Sequence, residues 1–227
     1  MPAMLEAIRA AARPVALTGA GISAPSGVPT FQTRWRGRPI RDFLGREFCQ
    51  NDPVGFFEVY CAMEAWCGAP PNAAHLALAS HQVPVITQNI DGLHQKAGSG
   101  KVIELHGNLR KIYCRACGIE TSAAALCADL RPLYAAGNHA AVLRRLACAC
   151  GGRLDGDVVL YGDAVRGMDE AMALLDGCDL FVVIGTTLTT YPAAMLPDYA
   201  RRRGARLMME DRDCVAALTE QEKDAKV

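Results

Sequence analysis

Residues 14–27 read Pro-Val-Ala-Leu-Thr-Gly-Ala-Gly-Ile-Ser-Ala-Pro-Ser-Gly and contain the pattern that decides the fold. The apolar Val-Ala-Leu run predicts a short buried strand. Gly19, Gly21 and Ala24 then follow at the spacing of the dinucleotide-binding turn, G-x-G-x-x-G/A. Small residues at this spacing allow a sharp turn and let backbone N–H groups approach a pyrophosphate. Because two prolines follow closely, we do not expect a long helix after the turn.

Composition limits the class of protein. The chain has 227 residues, of which 51% are hydrophobic and 21% charged, so it can bury a full core as one large domain or as a main domain with a small one. Lys and Arg together number 24, as do Asp and Glu, so no net charge favours nucleic acid as a partner. Glu6 and Arg9 interrupt the apolar N-terminus, and no apolar run approaches the ~20 residues that span a bilayer. We therefore expect a cytoplasmic protein without membrane contact, and a monomer is compatible with the sequence.

Further apolar runs predict the other strands, at residues 83–87, 102–105, 158–161, 180–184 and 206–209. Helical patterns separate most of them, which is typical of an α/β fold with a buried, Rossmann-like parallel sheet. Each run ends in a polar cluster. Since open parallel sheets bind ligands at the carboxyl ends of their strands, these clusters should meet at one site.

Two close cysteine pairs predict a metal centre. Cys114 and Cys117 form the first pair, and Cys148 and Cys150 follow after thirty intervening residues. Each pair can place two thiolates around a tetrahedral ion, which indicates one structural zinc. The alternative is a pair of disulfides, which the reducing cytosol disfavours.

The cysteine pairs also predict the domain organisation. Residues 1–110 and 155–227 would form a Rossmann-like dinucleotide-binding domain, which the family resemblance described next identifies as NAD-binding. Residues 111–154 would form an inserted zinc-binding module, a ribbon with a helical elaboration over residues 121–145.

The assembled motifs resemble the sirtuin family. They are residues 19–31 (Gly-Ala-Gly-Ile-Ser-Ala-Pro-Ser-Gly-Val-Pro-Thr-Phe), residues 87–94 (Thr-Gln-Asn-Ile-Asp-Gly-Leu-His), His106 with Gly107, the cysteine pairs and residues 185–188 (Gly-Thr-Thr-Leu). The order and spacing of these motifs match those of the family, and the resemblance covers nearly the whole chain. The chain is most similar to the short, bacterial-type members. The resemblance implies an NAD-dependent protein lysine deacylase that acts on acylated lysine peptides or proteins. The acyl group would pass to ADP-ribose with release of nicotinamide.

The resemblance also implies residue roles. His106 would be the catalytic base, since an ordinary histidine pKa of ~6.5 leaves a neutral, proton-accepting ring at cellular pH. Asn89 would act with it. Contacts to the pyrophosphate and nicotinamide side would come from Gly19, Ala20, Gly21, Thr30, Phe31, Gln32, Gln88, Asn89 and Asp91. Contacts to the adenosine side would come from Gly185, Thr186, Thr187 and Glu210. For His75 and His94 we expect structural roles.

The substrate would lie against two segments. By resemblance, the extended peptide would add as a strand bordered by Val158, Tyr161, Gly162 and Leu188. Sirtuins that prefer acidic acyl groups carry a tyrosine and, three residues later, an arginine on one helix face. Here those positions are Tyr60 and Met63, so we expect acetyl or longer neutral groups to be preferred. The alternative is that Met63 fills the core.

Some positions depart from the family. Gln32 stands where the family usually has arginine, and Glu210 or Asp211 stands where an asparagine usually meets the adenosine ribose. Family members usually continue with one more strand and helix that reach the adenine, so either the chain is truncated or adenine is held differently. The rival functions are ADP-ribosyl transfer, NAD hydrolysis and non-catalytic binding of acyl-lysine.

Overall fold

The computed structural model describes residues 2–30 and 33–210. The helices, in chain order, are α1 (Pro2–Ala10), α2 (Ala20–Ser23), α3 (Arg46–Asn51), α4 (Pro53–Glu64), α5 (Ala73–Ser80), α6 (Leu93–Lys96), α7 (Ala123–Ala135), α8 (His139–Arg145), α9 (Met168–Leu175) and α10 (Leu196–Arg202). The strands are β1 (Pro14–Thr18), β2 (Arg34–Trp35), β3 (Arg38–Pro39), β4 (Val85–Thr87), β5 (Val102–Glu104), β6 (Gly107–Cys114), β7 (Glu120–Ser122), β8 (Leu154–Val158), β9 (Leu180–Ile184) and β10 (Arg206–Glu210). Within these residues, none of the helices is long and apolar enough to cross a bilayer.

The central sheet is parallel throughout and has the strand order β10-β9-β1-β4-β5. One face packs on α1 and α5, and the other packs on α9 and α10. Because helices cover both faces, every residue of β9 is buried, and this explains its uninterrupted apolar sequence. The predicted Rossmann-like parallel sheet is confirmed.

The first strand lies at the centre of this sheet. From β1 the chain moves outward to β4 and β5 on one side, and later to β9 and β10 on the other. Thr18 pairs with both Thr87 and Ile184, so the carboxyl ends of β1, β4 and β9 are level. A reversal of strand order at this place opens the crevice in which parallel sheets bind ligands.

The strand predicted at residues 158–161 is wrong in both its bounds and its sheet. The strand is β8, Leu154–Val158, and it pairs antiparallel with β6 in a separate three-stranded sheet, β7-β6-β8. A four-residue apolar run shows only that it is buried, and the choice between two sheets depends on which partner the fold provides.

The cysteine-containing insert shares its core with the helices that precede it in the chain. Leu126 and Leu130 of α7 belong to the same buried cluster as Phe56 and Tyr60 of α4. Tyr134 reaches the first turn of α4, where its hydroxyl donates to the carbonyl oxygen of Val54 at 2.7 Å. The division of the chain at residues 111 and 154 remains a prediction, but the packing of the insert extends beyond those limits.

Candidate active site

The glycine turn at the end of β1 packs directly against the residues that follow β9. A Cβ built on Gly19 would lie 2.6 Å from the Cβ of Thr186. Gly185 has a φ of +66°, and a Cβ there would lie 2.3 Å from the backbone nitrogen of Ile22. The N–H of Gly21 donates to the carbonyl oxygen of Gly185 at 2.8 Å. Backbone atoms therefore form the wall at this place, as the glycine spacing predicts, and α2 is only one turn long.

This wall belongs to a cavity of about 680 Å³ at the carboxyl ends of the parallel strands. The cavity brings together most of the site residues expected from the sequence. They are Gly19, Ala20, Gly21, Thr30, Gln88, His106, Val158, Tyr161, Gly162, Gly185, Thr186 and Thr187. The convergence of polar clusters from β1, β4, β5 and β9 is therefore present in the structure.

His106 lines the cavity two residues after β5. Its Nδ1 lies 3.0 Å from the carbonyl oxygen of Gln88. A carbonyl oxygen can only accept, so Nδ1 carries the proton and Nε2 of the neutral ring is the acceptor. In the part of the chain that the structure describes, no group bonds to Nε2. Burial lowers the pKa of His106, and the bond to Gln88 partly opposes this. The ring is therefore neutral at cellular pH.

Asn89 and Asp91 do not themselves line the cavity, although Gln88 and Ile90 do, and they are 5% and 4% exposed. The Nδ2 of Asn89 donates to Ser23 Oγ at 3.0 Å, while its Oδ1 is buried without a partner among the described residues. Asp91 Oδ1 accepts from the N–H of Leu93 at 3.0 Å, and burial raises the Asp91 pKa. Since an unpaired buried oxygen costs stability, Asn89 Oδ1 is a natural acceptor for a ligand amide.

The two histidines expected to be structural are buried behind the glycine turn. His94 Nε2 bonds to Thr18 Oγ1 at 2.9 Å, and His75 Nε2 bonds to Ser23 Oγ at 3.3 Å. Burial lowers their pKa values to about 3 and about 4. Both rings are neutral hydrogen-bonding groups in the interior, which supports the structural roles expected for them.

On the expected adenosine side, hydrogen bonds join the segments that follow β4 and β9. Gln88 Nε2 donates to Thr186 Oγ1 at 2.9 Å and so joins the segment after β4 to the segment after β9. The N–H of Leu188 donates to the same hydroxyl at 3.2 Å. Glu210 is the last residue of β10 and does not line the cavity. Phe31, Gln32 and Asp211 lie outside the described residues.

The structure does not bring Tyr60 and Met63 to the cavity. Both are 0% exposed in the core shared by α4 and the insert. The Tyr60 hydroxyl donates to the carbonyl oxygen of Lys111 at 3.1 Å, and its ring lies against Gly156. The proposed acyl-pocket role of the pair is therefore corrected. A spacing of three does place both residues on one helix face, but this face packs against β6, β8 and α7.

The four cysteines form the predicted cluster. Their Sγ atoms all lie within 4.8 Å of one another, with 3.6 Å between Cys114 and Cys150 and 3.8 Å between Cys117 and Cys148. Four thiolates at Zn–S bonds of about 2.3 Å stand about 3.8 Å apart around a tetrahedron, so the donor set fits zinc. None of the four forms a disulfide. Because four protein ligands leave no open position, the ion would be structural.

Several cavity residues were not expected from the sequence. Arg41 lies on a 3-10 helix after the β2–β3 hairpin, and Asp163 follows the predicted peptide segment. Tyr191 extends the wall beyond residues 187–190, the segment that the resemblance places beside the peptide, and within that segment Leu188 does not line the cavity. Arg41 could not be found from a motif, because only the path of the hairpin brings it to the cavity.

The residues present fit a dinucleotide cofactor such as NAD. Gly19 and Gly185 line the cavity, and because a Cβ at either would clash with Thr186 or with the backbone at Ile22, the two segments meet there backbone to backbone. Asn89 offers a buried amide oxygen without a partner among the described residues. Gln88 and Thr186 add side-chain amide and hydroxyl groups, and both residues line the cavity. Backbone, amide and hydroxyl groups of this kind suit a pyrophosphate and a carboxamide.

Comparisons with known proteins agree with this arrangement. The sequence model of the Sir2 family matches residues 19–192. A protein of Sulfolobus acidocaldarius named NAD-dependent protein deacetylase is 40% identical over 213 residues, which are 90% of this chain and 81% of the relative.

Solved structures agree as well. A crystal structure of a Sir2 homologue in complex with NAD gives a TM-score of 0.80 at 29% identity, over 99% of this chain and 94% of that one. A structure of Sir2 bound to an acetylated peptide gives a TM-score of 0.81 at 28% identity, over 98% of each chain. The matched residues 19–192 include the glycine turn, the residues that follow β4, β5 and β9, and the insert. The chain belongs to the Sir2 family, the sirtuins.

Proposed function

We propose that this protein removes acyl groups from lysine side chains in an NAD-dependent reaction, transferring the acyl group to ADP-ribose and releasing nicotinamide. The observation that carries the proposal is the geometry of His106, which lines the cavity that contains the glycine turn and whose Nε2 has no hydrogen-bond partner among residues 2–30 and 33–210. Membership of the Sir2 family and the similarity to named deacetylases support this class of reaction.

Each residue of the site has a defined task. When bound, NAD supplies the ribose that takes the acyl group and the nicotinamide that leaves. His106 accepts a proton at Nε2, because the Gln88 carbonyl holds the ring and fixes its tautomer through Nδ1. Asn89 Oδ1, which is buried without a partner among the described residues, would accept from the carboxamide of the bound cofactor. The glycine backbones allow close approach of the phosphates.

Incubation with NAD and an acetyl-lysine peptide tests this function. Nicotinamide and acyl-ADP-ribose should form in equal amounts, and only with the acetylated peptide. Nicotinamide release that is independent of peptide acetylation would indicate NAD hydrolysis. Label transferred from NAD to a protein would indicate ADP-ribosyl transfer.

The pH dependence should follow the protonation of His106. Because burial lowers its pKa, the ring should stay neutral through the neutral range, and kcat/KM should be constant between about pH 7 and 8. As pH falls, protonation occupies Nε2 and removes the acceptor, so kcat/KM should fall with a midpoint below the ordinary histidine value of ~6.5. Initial rates at saturating NAD and varied peptide concentration give kcat/KM for the peptide at each pH. A midpoint above that value, or activity that rises as pH falls, would contradict the assignment.

We infer that the enzyme prefers neutral acyl groups. This inference rests on the side chains that line the cavity, because Met63 lies in the core. The wall beside His106 contains apolar side chains, which are Leu44, Ile90, Val158, Leu160 and Val165. A carboxylate buried without a partner among such groups costs several kcal/mol. We therefore expect kcat/KM for an acetylated or butyrylated peptide to exceed that for the succinylated peptide by at least ~10²-fold.

The measurement uses one peptide sequence with the three acyl groups. Comparable desuccinylation would contradict the expectation. In that case Arg41, which lines the same cavity, would be the cation to test, and Arg41→Gln should lower only the rate with the succinylated peptide.

We also propose the partners, the compartment and the oligomeric state. Acylated lysine peptides or proteins are the proposed partners, in line with the peptide-bound Sir2 structure. The four reduced cysteines of the metal cluster support a reducing compartment, and we propose the cytoplasm. The balanced charge of the chain supports a function without nucleic acid. We propose that a monomer suffices, because one chain provides the whole cavity.

A further inference from the structure

A mostly buried charge cluster lies between α3, β8 and the cavity. Arg46 is the first residue of α3 and its side chain is 14% exposed. Its Nε and Nη2 donate to the two carboxylate oxygens of Asp163 at 2.8 and 2.6 Å, while Nη1 donates to Asp155 at 2.7 Å. One guanidinium thus binds two carboxylates, one of them through a paired, planar contact. The bond to Arg46 is the main cause that lowers the Asp163 pKa.

Asp163 ends the segment that borders the cavity on the peptide side. We call residues 158–163 the peptide edge, since all six line the cavity. Near its start, the N–H of Val159 donates to the carbonyl oxygen of His106 at 2.8 Å. At its end, Asp163 Oδ2 accepts from the N–H of Leu160 at 3.1 Å and also binds Arg46. The peptide edge is therefore fixed to the catalytic histidine at one end and to Arg46 at the other.

The backbone of residues 44–46, at the start of α3, supports the peptide edge. The N–H of Tyr161 donates to the carbonyl oxygen of Leu44, and the N–H of Arg46 donates to the carbonyl oxygen of Tyr161, both at 2.9 Å. Between these two bonds, Tyr161 forms a parallel bridge with Gly45. These contacts hold the chain path, and at its outer end the N–H of Asp163 donates to the carbonyl oxygen of Leu160 at 2.9 Å while the Asp163 side chain binds Arg46.

The second carboxylate connects the cluster to the cysteine module. Asp155 lies on β8, is 6% exposed, and also binds Arg115, which lies between Cys114 and Cys117. Arg46 therefore links the peptide edge, the second sheet and the metal-binding loop. None of these contacts involves the glycine turn or the parallel sheet.

We propose that Arg46 is a positioning residue for the acyl-lysine peptide: by binding Asp163 and Asp155 together, it holds the peptide edge at the distance from His106 that the substrate requires. The inference rests on the proposed deacylase function. It assigns to Arg46 an effect on peptide binding that is separate from cofactor binding, because its ion-pair partners Asp163 and Asp155 lie outside the glycine turn and the parallel sheet.

The test compares peptide and cofactor affinity in Arg46→Lys, Asp163→Asn and the double variant. Lysine keeps the charge but cannot form the paired contact, so the variant separates geometry from charge. A fluorescent acetyl-lysine peptide in the presence of ADP-ribose gives the peptide Kd by anisotropy, and calorimetry gives the ADP-ribose Kd. Arg145→Lys is the matched control, because Arg145 pairs with Asp129 on the exposed surface of the insert.

We expect each single variant to raise the peptide Kd by at least about 10-fold, the effect of losing one charge-assisted hydrogen bond. The ADP-ribose Kd should stay within about 2-fold of wild type, as expected for a separate site. The double variant should resemble the single ones, since the two residues act as one unit. The control should change neither constant. Thermal denaturation establishes that each variant is folded at the assay temperature.

Other outcomes would overturn the inference. An unchanged peptide Kd in Arg46→Lys and Asp163→Asn would show that the backbone contacts alone hold the peptide edge. Equal losses of peptide and ADP-ribose affinity would show a general structural role. If either result is found while the wild type deacylates the peptide, the positioning role of Arg46 is wrong and the proposed deacylase function stands. A wild type that neither binds the peptide nor releases nicotinamide with it would overturn the proposed function as well.

Discussion

Replacing His106 with alanine should lower kcat for deacylation by roughly 10²–10⁴-fold, the contribution typical of a well-placed base. The fold and most of the affinity for ADP-ribose should remain, because the imidazole makes one described hydrogen bond, to the backbone of Gln88. The measurements are steady-state rates with an acetylated peptide, ADP-ribose affinity by calorimetry, and the midpoint of thermal unfolding.

His139→Ala is the matched control for this experiment. His139 is an exposed histidine at the start of α8, outside the cavity. The control should keep wild-type kcat and ADP-ribose affinity. Near-normal turnover in His106→Ala would mean that another group accepts the proton.

Loss of the metal should have the second large effect. We expect one equivalent of zinc per chain, bound by Cys114, Cys117, Cys148 and Cys150. Structural zinc sites contribute roughly 10–16 kcal/mol of apparent binding free energy, which is comparable to the whole stability of a typical domain. Cys148→Ala or a strong chelator should therefore unfold the insert and lower activity indirectly.

The unfolding should extend beyond the insert in a defined way. Because α7 and α8 share a core with α4, amide hydrogen exchange should accelerate in residues 46–64 together with residues 107–158. The parallel sheet should keep its protection. Cys178→Ala is a suitable control, since Cys178 is a buried thiol beside β9 and outside the cluster. Less than half an equivalent of zinc in fresh reduced protein, or unchanged exchange in Cys148→Ala, would contradict the prediction.

Local patterns predicted the parts of the site that depend on local chemistry. The turn at Gly19 and Gly21 requires small residues because the chain after β9 touches it, and this requirement is visible as spacing. The metal cluster was equally predictable, since Cys114 and Cys117 must lie close together to hold one ion. The position of His106 directly after a predicted strand placed it at the site, and the resemblance to the sirtuins gave it the role of base.

The features that escaped prediction depend on contacts between distant parts of the chain. Arg46 meets Asp155 and Asp163 across more than a hundred residues, and no periodicity marks such a pair. Tyr60 and Met63 share a helix face, but the sequence does not tell whether that face meets a cavity or a core. The partner of β8 was undetermined for the same reason.

The central place of β1 has a consequence for the order in which the protein matures on the ribosome. One edge of β1 pairs with β4, but the other edge waits for β9, whose residues 180–184 are translated long after residues 14–18. At synthesis rates of ~5–20 residues per second, the interval is roughly 10–30 s. During this time the nascent chain carries an open apolar strand edge and lacks Gly185, the partner of the glycine turn. A nascent-chain complex arrested before β9 should therefore neither bind ADP-ribose nor resist proteases in its N-terminal half.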